Sequence, residues 1–479
     1  MTPLSRGAML KLWVGLVVAT VAMHATTLVW SPVFWIDEVQ ILDFGRSLVF
    51  EPDTTWSISW LPDERPAATY GYLGPALQEG VYRMSGFQAW APRLASVFGG
   101  AAAATALLLW LWARGVGAYA SLLGGALLLV EPVLVQSSRG GRVDGWAIAA
   151  ALGAAWAFRR ASEGGGRSLV LAAVSGVMAA TAPFLWPTAV ATLVAVGVEL
   201  VQARRARGFA AIAAAFTSGA AVTGAALVGA YVMLQGNPLA QADVALGAQF
   251  VVGHWRGPAE MIPIVLDALV RSLVLWLIAV LAVLTPSARP LAVATGVALL
   301  ILAPSRLYAY RFLYALPLAA AAGAALFASR QQLVERGHRR LASLVGPILL
   351  ASVALGAAIS LGARQAVAWS ERVERDPGPV YEAAQRIGAG DVSVYIGEVE
   401  FYHPGRQLGW RMFRPYGEQG DHRPPDLLAR MDFAITGEEE HDVMAAAGLV
   451  PVASIAPATP MARYGPYWIY KRPTVQSLK

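Results

Sequence analysis

Two adjacent carboxylates, Asp37 and Glu38, follow the first long apolar run of the chain. An ionisable side chain inside the hydrocarbon of a membrane is costly and usually functional, whereas water can solvate it at the membrane surface. A carboxylate at such a boundary can take a proton from a hydroxyl group as a general base. Taken alone, the pair fits a solvated surface position equally well, so its role depends on the elements that surround it.

The composition places most of the chain in a membrane. Of 479 residues, 56% are hydrophobic and 14% are charged, and the mean hydropathy of +0.51 lies outside the range of soluble domains. The net charge of +6 does not indicate nucleic-acid binding, because the arginines form short clusters between apolar runs and no single basic face. The sequence has no cysteine, which excludes disulfides, thiol catalysis and thiolate metal sites.

Apolar runs of about 17 to 25 residues match the length that a helix needs to cross roughly 30 Å of hydrocarbon. They predict eleven spanning helices, of which the first is a retained helix and not a cleaved signal peptide. The predicted spans lie near residues 9–30, 90–112, 118–135, 144–158, 168–184, 186–203, 209–235, 262–285, 290–303, 312–328 and 341–363. The positive-inside rule then puts the N-terminus in the cytoplasm and the C-terminus outside a plasma (inner) membrane.

The segments predicted to lie outside differ from the cytoplasmic ones. The loop at 31–89 includes a stretch at 39–50 that suits an amphipathic helix on the membrane surface. The chain after residue 363 loses its apolar runs and contains strand-like stretches at 392–396, 433–436 and 467–470. We therefore predict a membrane-embedded catalytic domain over 1–363 and a small external α/β domain over 364–479.

Arginines on the outer face suggest an anionic ligand there. Among the arginines there are Arg65, Arg142, Arg306 and Arg311, which all fall in predicted outer segments. Positive-inside selection acts against outer arginines near helix ends, so topology alone does not explain them. The planar guanidinium group donates two parallel hydrogen bonds and therefore suits a phosphate.

Several short motifs resemble the GT-C superfamily of glycosyltransferases, most closely its protein O-mannosyltransferase and aminoarabinose transferase branch. Glu64-Arg65-Pro66-Ala67 begins 27 residues after Asp37, where those enzymes commonly read Glu-Lys-Pro-Pro after their acidic pair. Further similar elements lie at 93–96, 138–144, 254–258 and 305–311. The resemblance covers most of the membrane part of the chain.

The resemblance implies an all-α GT-C membrane fold with an external domain, and an inverting transfer of a sugar from a polyprenyl-phosphate lipid to an acceptor hydroxyl. Asp37 would be the base, with Glu38 as its neighbour or second contact, and the outer arginines would bind the donor phosphate. Further substrate or structural candidates are Glu64, Asp144 and Tyr70. No cofactor follows from the residues themselves, but the resemblance would let Glu64 and His254 share a divalent metal ion. The acceptor, whether protein, lipid or envelope glycan, stays open.

Several of these residues also fit simpler structural roles. Asp144 fits a helix N-cap, Arg93 an interfacial anchor, His254 a solvated side chain and Tyr70 an interface-belt aromatic. The main alternative function is a secondary transporter or lipid flippase, for which Asp267 and Arg271 are the clearest intramembrane ionisable pair. The sequence lacks the inverted repeats of such transporters. A non-catalytic scaffold that presents the external tail is a third hypothesis.

Overall fold

A computed structural model describes residues 5–51, 71–235, 258–303, 309–414 and 425–473. The chain divides into two compact units. The first, called here the helical unit, comprises Met1–Ala25, Ala67–Gly74 and Leu94–Gln365. The second, the mixed unit, comprises Thr26–Pro66, Pro75–Arg93 and Ala366–Lys479. Most of the first predicted external loop therefore groups with the C-terminal segment.

Helices dominate the described residues. In chain order they are α1 (Arg6–Ala25), α2 (Ile36–Gly45), α3 (Leu73–Met84), α4 (Trp90–Ala113), α5 (Ala118–Leu129), α6 (Pro132–Arg139), α7 (Asp144–Ser162), α8 (Ser168–Leu185), α9 (Val194–Ala203), α10 (Phe209–Gln235), α11 (Pro258–Arg271), α12 (Leu273–Leu281), α13 (Arg289–Leu302), α14 (Leu316–Ala328), α15 (Arg330–Glu335), α16 (Arg339–Ala357), α17 (Arg364–Ser370), α18 (Gly378–Ile387), α19 (Tyr402–Leu408), α20 (Pro425–Leu428) and α21 (His441–Ala446). Short π-helical segments follow α2 (Arg46–Phe50) and α16 (Ala358–Ala363), and 3-10 turns lie at Pro187–Ala191, Ala282–Leu284, Ala309–Tyr314 and Val399–Phe401.

Each of the eleven predicted spans coincides with a helical segment in the described ranges. By length and composition, five can cross a membrane as single helices: α1, α4, α8, α10 and the continuous stretch Arg339–Ser370. Two more are bent pairs, α5 with α6 at 52° and the end of α11 with α12 at 84°. Shorter apolar helices occupy Pro187–Ala203, α13 and α14. The remaining predicted span, 144–158, coincides with α7. The chain is thus a polytopic membrane protein, as predicted.

Small residues let the helices of the helical unit approach closely. Where α8 crosses α10, a Cβ added at Gly176 would lie 2.0 Å from the carbonyl oxygen of Phe216. Where α7 crosses α4, a Cβ added at Gly145 would lie 2.4 Å from the amide nitrogen of Gly100. Such contacts are a common means of packing helices in lipid. The second contact fixes the beginning of α7, where Asp144 lies.

The mixed unit contains a five-stranded sheet of strands β1 (Ser393–Ile396), β2 (Arg411–Phe413), β3 (Phe433–Thr436), β4 (Val450–Ile455) and β5 (Tyr467–Lys471), in the order β2-β1-β3-β5-β4. β1 runs parallel to β2 and β3, whereas β5 is antiparallel to β3 and β4. The strands β1, β3 and β5 coincide with the three predicted stretches. They confirm the α/β character of the C-terminal segment.

One hydrophobic core joins α2 to this sheet. Val39 and Leu42 of α2 are buried in the same cluster as Val394 of β1 and Ile469 of β5. Glu38 and every later residue of α2 are buried, which differs from the helix expected to lie on the membrane surface. The buried carboxylates of α2 have charged partners, Arg93 for Glu38 and Arg46 for Asp43, which offset the cost of burying a charge.

Candidate functional site

The acidic pair lies in the first turn of α2. This helix begins at Ile36 after an extended Trp35, so both carboxylates stand where a helix N-terminus favours negative charge. Asp37 is half-buried, whereas Glu38 is fully buried. Of the two residues, Asp37 is the one that keeps exposed surface.

Glu38 forms a two-pronged ion pair with Arg93, near the beginning of α4. Nε of Arg93 donates to Oε1 of Glu38 and Nη2 donates to Oε2, both at 2.8 Å. Both side chains are 0% exposed. Because a guanidinium fork matches the charge and geometry of a carboxylate, this pairing suits a structural role for Glu38 better than proton transfer. Arg93 is thus a buried partner of the acidic pair and not an interfacial anchor.

The same guanidinium group holds the chain that connects α1 to α2. Nη1 of Arg93 donates to the carbonyl oxygens of Leu28, at 2.8 Å, and of Pro32, at 2.9 Å. The ring of Phe34 lies 5.2 Å from the guanidinium carbon, within the range of a cation–π contact. One buried side chain therefore fixes both the connection and the first turn of the helix that carries Asp37.

A set of six charged residues supports the other end of α2. Its members are Asp43, Arg46, Glu51, Glu79, Arg83 and Arg406. Arg46 contacts Asp43 at 2.7 Å, and Arg406 of α19 contacts Glu79 of α3 at 2.9 Å. Burial opposes ionisation of Glu51, but the guanidinium groups of Arg406 and Arg46 outweigh it and hold the pKa of that carboxyl below its usual value. With three charges of each sign, the set neutralises itself and suits a structural role.

In the helical unit, the structure brings Arg142 and Asp144 together. Nε of Arg142 donates to Oδ2 of Asp144 at 2.7 Å, and the Ser137 hydroxyl donates to the same oxygen at 2.5 Å. The Tyr314 hydroxyl donates to Oδ1 at 2.5 Å. Asp144 is the first residue of α7, after Val143 at the N-cap, and it is buried. It therefore serves as the centre of a hydrogen-bond network and not as an exposed helix cap.

Arg311 and an aromatic ring lie close to this network. Arg311 is half-buried in the turn Ala309–Tyr314 and within electrostatic range of the Tyr314 hydroxyl. The ring centroid of Trp186 lies 5.3 Å from the guanidinium carbon of Arg142. Of the four arginines predicted to bind phosphate, Arg142 thus belongs to this buried cluster, and the half-buried Arg311 lies within electrostatic range of it.

The other predicted residues lie outside the described ranges: Arg65, Arg306, Glu64, Tyr70 and His254. The predicted metal pair, Glu64 and His254, is among them. Within the ranges that the structure covers, no group of three or more histidine, aspartate or glutamate side chains is placed to hold a metal ion.

The sequence pattern does not mark Arg93, Ser137 or Tyr314 as members of these clusters. Arg93 gave a usable signal, because a buried arginine at the beginning of a span needs a carboxylate partner and Glu38 lies next to the predicted base. For Ser137 and Tyr314, the only signal in the sequence was that each lies within a few residues of a candidate arginine. Their contacts with Asp144 depend on the tertiary fold.

The apolar helices and the C-terminal α/β segment form a fold that solved structures share along nearly the whole chain, and this fold fits the predicted GT-C class of membrane fold. The solved structures that share it include ArnT from Cupriavidus metallidurans. Its apo form matches with a TM-score of 0.62 and 13% identity, over 96% of this chain and 98% of that one. Its form bound to undecaprenyl phosphate matches with a TM-score of 0.65 and 14% identity, over 97% and 98%.

The oligosaccharyltransferase from Archaeoglobus fulgidus matches more weakly. Its TM-score is 0.46 and its identity 13%, over 95% of this chain and 73% of that one. No family model matches the sequence, and no curated protein does so either. At these identities the likeness to ArnT establishes the fold alone.

Proposed function

We propose that this chain is a membrane glycosyltransferase that moves a sugar from a polyprenyl-phosphate donor to an acceptor hydroxyl at the outer face of the plasma membrane. The observation that carries the proposal is the likeness along nearly the whole chain to ArnT bound to undecaprenyl phosphate. The acidic pair at the beginning of α2 adds support, because transfer to a hydroxyl needs a base. The N-terminus would lie in the cytoplasm and the C-terminal segment outside.

Asp37 is the catalytic base in this proposal. Asp37 is half-buried, whereas the carboxylate of Glu38 is enclosed and bound on both oxygens by Arg93. Glu38 then has a positioning role, because its ion pair with Arg93 fixes the helical turn that carries Asp37. The two members of the acidic pair therefore have different tasks in this proposal.

The reaction is a direct displacement. The acceptor hydroxyl oxygen forms a bond to the anomeric carbon, and the bond from that carbon to the donor phosphate oxygen breaks. The polyprenyl phosphate leaves with the bonding electron pair, and Asp37 takes the proton of the acceptor hydroxyl. Attack opposite the leaving phosphate inverts the anomeric centre.

Arg142 and Arg311 would stabilise the departing phosphate, with Arg65 and Arg306 as further predicted contacts. The hydrogen bond to Asp144 and the ring of Trp186 orient the guanidinium group of Arg142 before any ligand arrives. Cations that are oriented in advance stabilise developing charge without the cost of reorganisation. A divalent ion at Glu64 and His254 stays a hypothesis that a chelator can test.

The alternative is a secondary transporter or lipid flippase, and the two bent helix pairs are the observation that favours it. Its clearest ionisable pair does not support it. Arg271 donates to Asp267 of the same helix at 2.9 Å, and the two side chains are 44% and 47% exposed. They form an ordinary pair on the surface of one helix and not a buried pair between helices.

A transfer assay separates the two functions. The purified protein, in lipid nanodiscs, receives radiolabelled polyprenyl-phosphate sugars together with a membrane extract as the source of acceptor. A transferase releases free polyprenyl phosphate and moves the label to a new product, and we expect both in equal amounts. A parallel reaction with chelator tests the metal hypothesis.

Movement of intact donor lipid across a vesicle bilayer, without release of polyprenyl phosphate for any sugar tried, would instead establish the flippase and remove the proposal. Asp391→Asn is the matched control for later carboxylate variants, because Asp391 is 81% exposed and lies in the mixed unit. It should leave the transfer rate unchanged.

A further inference from the structure

The segment that delivers Asp37 to its place has no regular structure of its own. Ser31 to Trp35 precede α2 without forming a helix or strand. Phe34, three residues before Asp37, is only 7% exposed. A buried backbone amide outside regular secondary structure needs a partner, since leaving it unpaired costs about 1–3 kcal/mol.

That partner comes from the C-terminal segment. The amide nitrogen of Phe34 donates to the hydroxyl oxygen of Tyr464 at 3.0 Å, across 430 residues of chain. Tyr464 is 3% exposed and lies three residues before β5. Its hydroxyl therefore connects the approach to α2 with the segment that leads into β5.

Two rings complete the support around Phe34. The ring of Tyr464 lies 5.5 Å from that of Phe34, and the ring of His403 lies 4.7 Å away. His403 is itself held, because its Nδ1 lies 2.8 Å from the hydroxyl of Tyr82 on α3. The ring packing would survive removal of the Tyr464 hydroxyl, so the hydrogen bond can be tested separately.

We propose that Tyr464 is a positioning residue for the catalytic base, through which the C-terminal domain sets the placement of Asp37. Arg93 restrains the connection from the side of α4, through Leu28 and Pro32, and Tyr464 restrains it from the side of the sheet. This inference rests on the proposed function and extends it by giving the C-terminal domain a part in the transfer step. Tyr464 makes no contact with substrate in this account.

The test compares Tyr464→Phe with Tyr467→Phe. Tyr467 is also buried, at 1% exposed, and its hydroxyl also makes one hydrogen bond, to Oε1 of Glu400 at 2.7 Å. That bond lies within the C-terminal segment and does not touch the approach to Asp37. The two variants therefore lose the same group from the same unit, and only one loses the restraint.

We expect Tyr464→Phe to lower kcat roughly tenfold or more, because a small misplacement of a catalytic group is costly. The KM for donor and the binding of unlabelled polyprenyl phosphate should stay unchanged. Hydrogen exchange of a peptide covering residues 28–38 should become faster. Tyr467→Phe should keep kcat and the exchange rate of that peptide, even where its melting temperature falls.

Equal losses of kcat in the two variants, or unchanged exchange of residues 28–38 in Tyr464→Phe, would overturn the inference. The exchange measurement does not depend on activity. If the parent protein releases no polyprenyl phosphate in the transfer assay, the proposed function fails. If Asp37→Asn turns over donor at the full rate, the assignment of Asp37 as the base fails. If Asp37→Asn is inactive while Tyr464→Phe keeps full kcat, only the inference about Tyr464 fails.

Discussion

Replacing Glu38 by glutamine removes one charge from a fully buried ion pair. The guanidinium group of Arg93 stays charged and 0% exposed, and it loses both of its 2.8 Å contacts to a carboxylate. Breaking one member of a buried pair costs about 3–5 kcal/mol, because the other charge is left without compensation. We expect Glu38→Gln to destabilise the protein by about that amount.

The melting temperature should report this loss. For a unit of this size, about 4 kcal/mol corresponds to a decrease of roughly 8–16 °C, at about 2–4 °C per kcal/mol. Intrinsic tryptophan fluorescence, followed during heating in detergent at a fixed scan rate, gives the apparent value. Glu382→Gln is the control, since Glu382 and Arg386 form an exposed pair on α18 and should contribute little.

A double-mutant cycle isolates the pair itself. Arg93→Met alone strands the buried Glu38 carboxylate, so this single variant should also be strongly destabilised. The double variant Glu38→Gln with Arg93→Met should be less destabilised than the two losses added together. Additive losses, or a decrease of under 2 °C in Glu38→Gln, would refute the assignment of Glu38 to this structural pair.

Two further predictions concern packing and protonation. Gly145→Ala should lower the melting temperature, because the added Cβ would lie 2.4 Å from the amide nitrogen of Gly100. Gly296→Ala on α13 is the control: its Cβ would meet nothing within 4 Å, so the melting temperature should not fall. Burial lowers the pKa of His403 well below its usual value, so the unfolded chain binds the proton first as pH falls. Stability should decrease below about pH 6.5, by up to about 1.4 kcal/mol per pH unit, and His403→Gln should weaken the dependence.

Hydropathy made most of the helical unit predictable, since a long apolar run is a local property that lipid requires whatever the tertiary fold. The bends within two of the predicted spans were harder to predict from the sequence. Pro132 gives a visible reason for the break between α5 and α6, with Glu131 capping α6 by accepting from the amide of Leu134. The 84° bend at Ser272 has no such residue, and 262–285 was predicted as one continuous span.

The acidic pair shows the limit of prediction for the site. Residue type and position marked Asp37 and Glu38 together, but their different tasks depend on Arg93, 55 residues away from Glu38. The burial of α2 likewise depends on strands more than 350 residues later, such as β1 with Val394. Contacts at such distances leave no periodicity in the sequence, so α2 was predicted as a surface helix.

The measurement that tests the central claim most directly is the single-turnover rate of sugar transfer by Asp37→Asn, beside its affinity for polyprenyl phosphate. Loss of the general base should lower the rate by roughly 10²–10⁴-fold, while the affinity and the melting temperature stay close to those of the parent protein and of Asp391→Asn. Transfer by Asp37→Asn at the parent rate would contradict the account, because no other residue in it accepts the proton of the acceptor hydroxyl.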